Sequence, residues 1–177
     1  LTEYKKQLNK ALSIERILER SSNEIYIFDT ETLKFVRVNQ GALENLQYSA
    51  EEMISRTPVD IKPEFADAEC RELVQPLIRG DRARLLFTTV HERKDATRYP
   101  VEVHLELQEH DNNPAFVAVI LDITERLRSE EQLRLVNAAI EQAKDAIIIT
   151  DNHFDADGPT IVFANPASAK ITGYAPD

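Results

Sequence analysis

The side chains that could carry acid–base or metal chemistry are few and widely separated. The 177 residues include four histidines and one cysteine: His91, His104, His110, His153 and Cys70. A metal site needs three or four converging ligands at recognisable spacings, and these positions show none. Gly-x-Ser-x-Gly, Walker-type and Gly-x-Gly-x-x-Gly patterns are also missing from the sequence. We therefore expect no catalytic residue and no metal ligand within this stretch of chain.

The carboxylates favour a solvated surface over a catalytic or calcium-binding role. Asp155 and Asp157 precede Gly158, which is a weak sign of a calcium loop, but the remaining ligands of such a loop do not follow. A solvated turn is the better interpretation of this segment. The other acidic residues are spread over faces that we expect to be exposed.

Composition narrows the class of protein further. The formal net charge of −10 disfavours a surface for nucleic acid or for an anionic membrane, because both would repel it. The longest apolar runs are far shorter than the ~20 residues of a membrane-spanning helix. A single cysteine excludes an internal disulfide framework. We expect a soluble, cytoplasmic protein with one domain plus extensions.

The strongest structural signal lies between Tyr99 and Arg126. Apolar and polar residues alternate over 99–107, which is typical of a strand with one buried face. The apolar run over 116–121 predicts a central strand covered on both faces. Asp122 and Glu125 then have capping-box spacing, so this strand should pass almost directly into a helix. A sheet coupled in this way to an outgoing helix can transmit a structural change.

Shorter elements precede this stretch. Residues 1–20 have apolar positions at helical spacing and predict an amphipathic helix. Further along we predict strands over 24–28, 33–38 and 84–92, helices over 39–48 and 65–78, a capping box at Ser49-Ala-Glu-Glu52 and a hairpin turn over 93–97. The overall class is α+β.

A helix with an apolar seam is predicted after this domain. Its apolar residues are spaced by three and four positions: Leu133, Val136, Ile140, Ala143 and Ile147. The seam is only about two heptads long, whereas three to four are needed to predict a coiled coil. A coiled coil and a single solvated helix both remain open.

The chain then repeats its own beginning. The segment 147–151 repeats 25–29, and 162–165 repeats 36–39. The distance from the asparagine to the following tyrosine is nine positions in both copies, which are Asn39 to Tyr48 and Asn165 to Tyr174. A four-residue insertion falls within 154–159 of the second copy. Since this copy stops before completing a sheet, we expect a fragment of a longer protein.

This order of elements resembles a PAS sensory domain of a bacterial signalling protein. The most specific motif is Arg93-Lys-Asp, Tyr99-Pro-Val-Glu-Val103 and Asp122-Ile-Thr-Glu-Arg126, which is similar to the C-terminal (PAC) motif of the family. The family commonly has Gly where this chain has Ala96. If the hairpin needs a left-handed backbone there, alanine costs about 1 kcal/mol.

The resemblance implies a fold and a domain plan. The PAS fold has a five-stranded antiparallel sheet with helices on one face, flanked here by N-terminal and C-terminal helices. The predicted segments are an N-terminal helix over 1–20, a PAS domain over 21–123, a linker helix over 124–145 and the truncated start of a second PAS domain over 146–177.

The resemblance also bears on cofactors. In flavin photosensors of the family a cysteine motif follows the first helices, but here that slot holds Arg56-Thr-Pro-Val-Asp60 and Cys70 lies in the next helix. Haem-binding relatives use a histidine of the long helix, and 65–78 contains none. We expect neither covalent flavin nor haem. An unknown small molecule remains open, and the pocket candidates are Tyr26, Phe28, Asn39, Phe87, His91 and Tyr99.

Two functions follow as alternatives. In the first, a ligand biases the helix that leaves through Asp122, Thr124 and Arg126, and so regulates a downstream diguanylate cyclase, phosphodiesterase or histidine kinase. In the second, the pocket aromatics are ordinary core, Asn39 caps its helix, and the domain is a ligand-free dimerisation spacer. Both include a homodimer through the flanking helices, at Leu8, Leu133, Val136 and Ile140.

Overall fold

The structure is a computed structural model that describes residues 2–152 and 158–173. The chain divides into two compact units, Leu1–Thr124 and Glu125–Asp177, called here the first and the second unit. The predicted His153, Asp155, Asp157 and Tyr174 lie outside the described residues, as does most of the predicted insertion. The domain boundaries given above stay predictions.

The first unit contains a helix, two strands, a helical segment and three further strands. Its elements are α1 (Thr2–Glu19), β1 (Glu24–Asp29), β2 (Phe35–Val38), α2 (Gln40–Leu46), α3 (Ala50–Ile54), a 3-10 turn (Pro58–Ile61), α4 (Asp67–Ile78), β3 (Arg84–Glu92), β4 (Arg98–His110) and β5 (Asn113–Asp122). Helix α5 (Thr124–Gln142) follows β5 after one residue.

The strands form one antiparallel sheet in the order β2-β1-β5-β4-β3. The predicted α+β class and five-stranded sheet are confirmed. Strand β5 is central, as its apolar run predicted, but only one of its faces is fully buried. Val117, Val119 and Leu121 on the other face are half-buried, so the prediction that both faces are covered was wrong.

One face of the sheet carries the core. Phe35 and Phe116 from the sheet and Leu46 and Met53 from the helices are almost completely inaccessible to solvent. Fully burying a side chain of this size contributes about 1.5–3 kcal/mol. Cys70 of α4 is a buried member of the same cluster. Burial also raises the pKa of its thiol, which is the behaviour of a small packing residue.

One local prediction is confirmed in detail, and one condition that the sequence left open is answered. Ser49 and Glu52 form the predicted capping box at the start of α3. Ala96 has φ = 65°, so the hairpin between β3 and β4 does place alanine in the left-handed region that favours glycine.

The passage from β5 into α5 is as direct as predicted, but its cap differs. The helix begins at Thr124, so Ile123 rather than Asp122 is the residue before it. Asp122 Oδ1 accepts a hydrogen bond from the Thr124 amide at 2.8 Å. The capping box of Asp122 with Glu125 was therefore wrong in register, although the carboxylate still binds an amide of the helix entrance.

Helix α5 is shorter than the apolar seam predicted from the sequence. It ends at Gln142, so Ala143 and Ile147 lie beyond the helix and do not continue the apolar seam. Leu133 and Val136 remain 64% and 48% exposed. No helix within the described residues has both the length and the apolar character to cross a bilayer.

The described part of the second unit repeats the entrance of the first. It contains β6 (Ile148–Thr150), β7 (Ile161–Ala164) and α6 (Pro166–Thr172), and the two strands pair antiparallel. Unlike their counterparts in the first unit, the apolar residues of this hairpin are largely exposed.

Candidate functional site

A buried carboxylate at the start of β1 organises the interior of the first unit. Glu24 is 2% exposed. Its carboxylate accepts hydrogen bonds from the Tyr99 hydroxyl of β4 at 2.6 Å, from the Tyr26 hydroxyl and from the Asn45 amide of α2. Three donors from three elements thus compensate a charge that would otherwise be costly to remove from water.

His91 of β3 completes this polar cluster. Strand alternation turns its ring inward, and it is completely buried between the rings of Tyr26 and Tyr99. Its Nδ1 lies 3.6 Å from Glu24 Oε2. Within the described residues neither ring nitrogen has a hydrogen-bond partner, so the imidazole retains unused bonding capacity in the core.

Burial sets the charge of this cluster. Desolvation lowers the pKa of His91 below its ordinary value, despite the nearby carboxylate. For Glu24 desolvation raises the pKa, but the neighbouring His91 ring and the hydroxyls of Tyr26 and Tyr99 more than offset it and the net shift is downward. Desolvation and the Glu24 charge raise the pKa of both Tyr26 and Tyr99. Near neutral pH the cluster therefore holds one carboxylate, a neutral imidazole and two protonated phenols.

Arg93 links this cluster to the exit of the sheet. Its guanidinium donates to the backbone oxygen and to Oδ1 of Asn45, both at 2.9 Å, while the Asn45 amide donates to Glu24. The guanidinium also lies 3.9 Å from the centre of the Tyr99 ring. Finally, Arg93 Nη2 is 3.9 Å from Asp122 Oδ2. A continuous series of contacts therefore runs from the buried carboxylate to the last residue of β5.

The junction between β5 and α5 is fixed on the sheet side. Ile123 is buried, and its amide donates to the Pro100 carbonyl at 3.1 Å. The Asp122 carboxylate binds the Thr124 amide. Arg126, on the exposed surface of α5, pairs with Glu130 one turn later. Of the three predicted transfer residues, Asp122 and Thr124 are thus in direct contact, whereas Arg126 lies further along the helix.

The space between sheet and helices is small. An interior void of about 10 Å³ is close to the least volume that one water molecule needs. Its lining comprises Tyr26, Phe28, Phe35, Pro58, Ile61, Lys62, Val103, Leu105, Ala118 and Ile120. Two of the predicted pocket residues therefore face this void, and that a ligand touches any of them stays a prediction.

The remaining pocket candidates lie elsewhere in the interior. His91 and Tyr99 belong to the Glu24 cluster. Phe87 is half-buried against Phe65. Asn39 caps α2, as the alternative interpretation predicted, through a hydrogen bond from the Ala42 amide.

A buried lysine, not anticipated from the sequence, lines the interior void. Lys62 is 8% exposed, and its ammonium nitrogen lies 5.1 Å from the centre of the Phe87 ring and 5.9 Å from that of Phe65. Desolvation lowers its pKa to about 8. The aromatic faces supply part of the stabilisation that this cation loses by leaving water.

The larger concavity is on the opposite face of the sheet, under α1. It measures about 450 Å³ and is lined by Ile14, Glu15, Leu18, Glu19, Ile25, Ile27, Arg37 and Asn39. Arg37 of β2 pairs with Glu15 and Glu19 of α1 at 2.9 and 3.3 Å. Leu8 belongs to α1, but its side chain lies outside the described part of the chain.

Glu24, Asn45 and Arg93 were missed as functional residues by sequence reasoning. Glu24 follows a turn, where an acidic residue is usually solvated, and Arg93 was assigned to a hairpin turn and to the family motif but to no functional role. Tyr99 is 75 residues from Glu24, and Asn45 is 48 from Arg93. The one sequence feature that pointed to these residues was the presence of Arg93 and Asp122 in the same motif.

The polar face of β4 agrees with the prediction. His104 Nε2 lies 2.9 Å from Glu102 Oε1 on the outer surface of the sheet. Within residues 2–152 and 158–173, no three histidine, cysteine or acidic side chains converge as metal ligands would.

Comparison with known proteins gives two matches to one family. The PAS domain family matches residues 23–125, and a second PAS domain match covers residues 131–177. The chain is 27% identical, over 158 residues, to the methyl sulfide methyltransferase-associated sensor of Methanosarcina acetivorans. The matched stretch covers 89% of this chain but only 15% of that sensor.

Solved structures include similar folds. The PAS domain of an HTR-like protein from Haloarcula marismortui superposes with a TM-score of 0.59 at 25% identity, covering 70% of this chain and all of that one. A PAS domain from Desulfitobacterium hafniense gives a TM-score of 0.53 at 24% identity, covering 60% of this chain and 98% of that one. The second likeness bears on the fold alone.

Proposed function

The chain belongs to the PAS domain family, and on this premise we propose that its first unit is a regulatory module that passes a structural change from its interior to α5. The observation that carries the proposal is the series of contacts Glu24–Asn45–Arg93–Asp122. It joins a buried charged cluster to the residue whose carboxylate binds the first amide of the helix.

A stimulus can act through this series of contacts only if the first unit has two conformations. A small molecule, or a proton, must then bind one conformation more tightly than the other. His91 supplies unused hydrogen-bonding capacity in the core, and Glu24 supplies a charge whose partners change if the ring moves. The proposed response is a shift of Arg93 that alters how Asp122 holds the helix entrance.

The output lies beyond these residues in this proposal. We place a diguanylate cyclase, a phosphodiesterase or a histidine kinase of a two-component system after the second unit, in a cytoplasmic protein. The similar protein of Methanosarcina acetivorans is named a sensor, which supports regulation in general and favours none of the three outputs. The role of this chain is regulatory rather than catalytic.

Dimerisation through the flanking helices belongs to the same proposal. Leu133 and Val136 of α5 and Ile17 of α1 are all about half exposed or more, and exposed apolar residues on a helix favour association with a partner. Light scattering at micromolar concentration should give twice the chain mass, and Leu133→Glu should reduce it toward the single-chain value. A single-chain mass for the unsubstituted protein would contradict the dimer.

One observation favours the second candidate, a ligand-free spacer. The interior void of about 10 Å³ is far below the ~300 Å³ or more of typical small-molecule sites. Binding of an organic ligand on the core face of the sheet therefore requires the helices there to move away from the sheet. Thermal unfolding in the presence of a metabolite set separates the two functions, because a ligand that binds the folded state raises the midpoint temperature.

The coupling itself is tested without any ligand. Glu24→Gln keeps the shape of the side chain and removes its charge, so hydrogen exchange should accelerate at Ile123, Thr124 and the first turn of α5. Glu109→Gln, at an exposed position of β4, is the matched control and should leave these amides unchanged. A folded Glu24→Gln protein with unaltered exchange at the junction would overturn the coupling.

A further inference from the structure

Asn39 binds three separate parts of the first unit through one side chain. Its Oδ1 accepts from the Ile25 amide of β1 at 2.8 Å and from the Ala42 amide of α2 at 3.1 Å. Its Nδ2 is 3.0 Å from the carbonyl of Leu18, in the last turn of α1. The same Nδ2 also lies within hydrogen-bond distance of the Ser21 and Asn23 carbonyls in the connection to β1.

Asn165 makes corresponding bonds in the second unit, to the amide before a strand, to an amide of the next helix and to the end of the preceding helix. Its Oδ1 accepts from the Ile147 amide before β6 at 2.9 Å and from the Ser168 amide of α6 at 3.1 Å. Its Nδ2 donates to the Ile140 carbonyl, in the last turn of α5, and to the Asp145 carbonyl, both at 3.0 Å. We call this arrangement the asparagine clasp.

The clasp uses both ends of the asparagine amide. An ionised aspartate can only accept a hydrogen bond, and a serine or threonine hydroxyl donates and accepts at one oxygen, whereas asparagine accepts at Oδ1 and donates two hydrogen bonds at Nδ2. Both asparagines are buried, at 4% and 0% exposure, so an unused amide group would be unfavourable there. The geometry thus couples the end of one helix to the start of the next strand and the next helix.

We propose that Asn39 and Asn165 are positioning residues that tie each PAS unit to the helix preceding it. Through Asn165 the helix that leaves the first unit becomes the input helix of the second. The two PAS units are then connected in series along α5 rather than acting as independent sensors. This serial function rests on the proposed role of α5 as the output of the first unit, whereas the clasp itself does not.

The clasp is tested first by removing only its donor side. Asn165→Asp keeps an acceptor for Ile147 and Ser168 and loses the donor to Ile140 and Asp145. Amide exchange in the last turn of α5 should accelerate by at least about tenfold, the effect of losing two ordinary hydrogen bonds. Asn137→Asp adds the same charge at an exposed position of the same helix and should not produce this acceleration.

A neutral variant keeps this test decisive if aspartate prevents folding. Asn165→Ser can still cap α6, but its side chain is too short to reach the Ile140 carbonyl as well. It should accelerate the same amides of α5. In the first unit, Asn39→Asp should accelerate the last turn of α1, with Asn9→Asp as its exposed control. A folded Asn165 variant with unchanged exchange in the last turn of α5 would overturn the clasp.

Serial coupling is tested by a double-mutant cycle in the full chain. Ala139→Gly loosens α5 at an exposed position, by about fivefold in local opening. With Asn165 present, this change should also raise exchange in β6. In the Asn165→Asp background the same substitution should leave β6 unchanged. An equal effect of Ala139→Gly in both backgrounds would refute the coupling.

These readouts distinguish the clasp from the proposed function. The exchange at Ile123 and Thr124 in Glu24→Gln reports the exit from the first unit, and the exchange in β6 reports the entrance to the second. If Glu24→Gln does not change exchange at Ile123 and Thr124 but the effect on β6 is still seen, the clasp remains valid. The signal from the first unit that it was proposed to relay is then refuted.

Discussion

The two PAS units share one local arrangement of helices and strands, but the apolar residues of its hairpin are buried in the first unit and exposed in the second. Each has a helix, a strand hairpin and a second helix joined by an asparagine clasp. In the first unit Phe35 of the hairpin is 2% exposed, but its counterpart in the second, Ile161, is 60% exposed. The clasp hydrogen bonds, which span 3 to 25 positions of the chain, therefore form in both units, whereas burial of the apolar face requires the rest of the sheet.

The largest expected difference between the units is in core packing. Phe35→Ala should destabilise the first unit by about 3–5 kcal/mol, as substitutions of buried phenylalanine do. Ile161→Ala should cost less than about 1 kcal/mol, since its side chain has little burial to lose. Urea unfolding of the two variants measures both values. Equal losses would show that the second hairpin is covered in solution by another surface.

A second difference concerns the residue two positions after each clasp asparagine. A Cβ added to Gly41 would clash with the Ser21 carbonyl, whereas the second unit has the buried Ala167 at this position. Gly41→Ala should therefore destabilise the first unit by about 1–3 kcal/mol, although alanine favours helices. Ala167→Gly should cost only about 1 kcal/mol, the usual effect of glycine in a helix.

These two substitutions are best compared by thermal unfolding at one pH. A Gly41→Ala protein that is as stable as the original would show that the α1–β1 connection can move away without loss. In that case the first clasp would be looser than its hydrogen bonds indicate.

The C-caps of the two short helices give a smaller and reciprocal effect. Gln47 ends α2 at φ = 65°, and Gly173 ends α6 at φ = 78°. Gly173→Gln should cost about 1 kcal/mol, because a side chain in the left-handed region is strained. Gln47→Gly should stabilise by less than that amount, since it also removes an exposed hydrogen bond to Asp95. Denaturant midpoints with matched m-values test both, and a loss of stability in Gln47→Gly would contradict the argument.

These contrasts show what the sequence could predict. The hairpins and the capping box at Ser49 follow from residues within a few positions of one another, and both were found as expected. The left-handed position of Ala96 was raised only as a condition by the family resemblance, and the structure meets that condition. The repeated asparagine was recognised, but only its cap was foreseen. Its donor bonds reach back to residues such as Leu18, 21 positions earlier, where no short-range pattern indicates a partner.

The interior of the site was beyond sequence reasoning for a related reason. Strand parity correctly turned Tyr26, His91 and Tyr99 inward. It could not show that Glu24, beside a turn, would be buried among them, because that depends on tertiary contacts. The size of the interior void likewise depends on how closely α3, α4 and the sheet pack, and the alternation of apolar residues does not encode that distance.

The same buried cluster predicts a pH effect confined to the first unit, because the second has Ala146 where the first has Glu24. Folded His91 stays neutral below its ordinary pKa of 6.5, while the unfolded chain takes up a proton there, so stability falls as the pH drops through about 6.5.

Folded Glu24 has a pKa below its ordinary 4.5, so its contribution is present above that pH and is lost as the pH falls below it. Each group changes the number of protons taken up or released on unfolding by at most one, and this number sets the slope of the unfolding free energy against pH. His91→Gln should remove the decline between pH 7 and 5 in urea midpoints and weaken the lower one, because His91 helps to lower the pKa of Glu24. Glu24→Gln should reduce the decline below pH 4.5 without abolishing it, since the pKa values of Asp29 and Glu52 are also lowered. Parallel curves for His91→Gln and the original protein from pH 7 to 5 would mean that His91 binds a proton equally well in the folded and unfolded chain, and would contradict a lowered pKa of the buried ring.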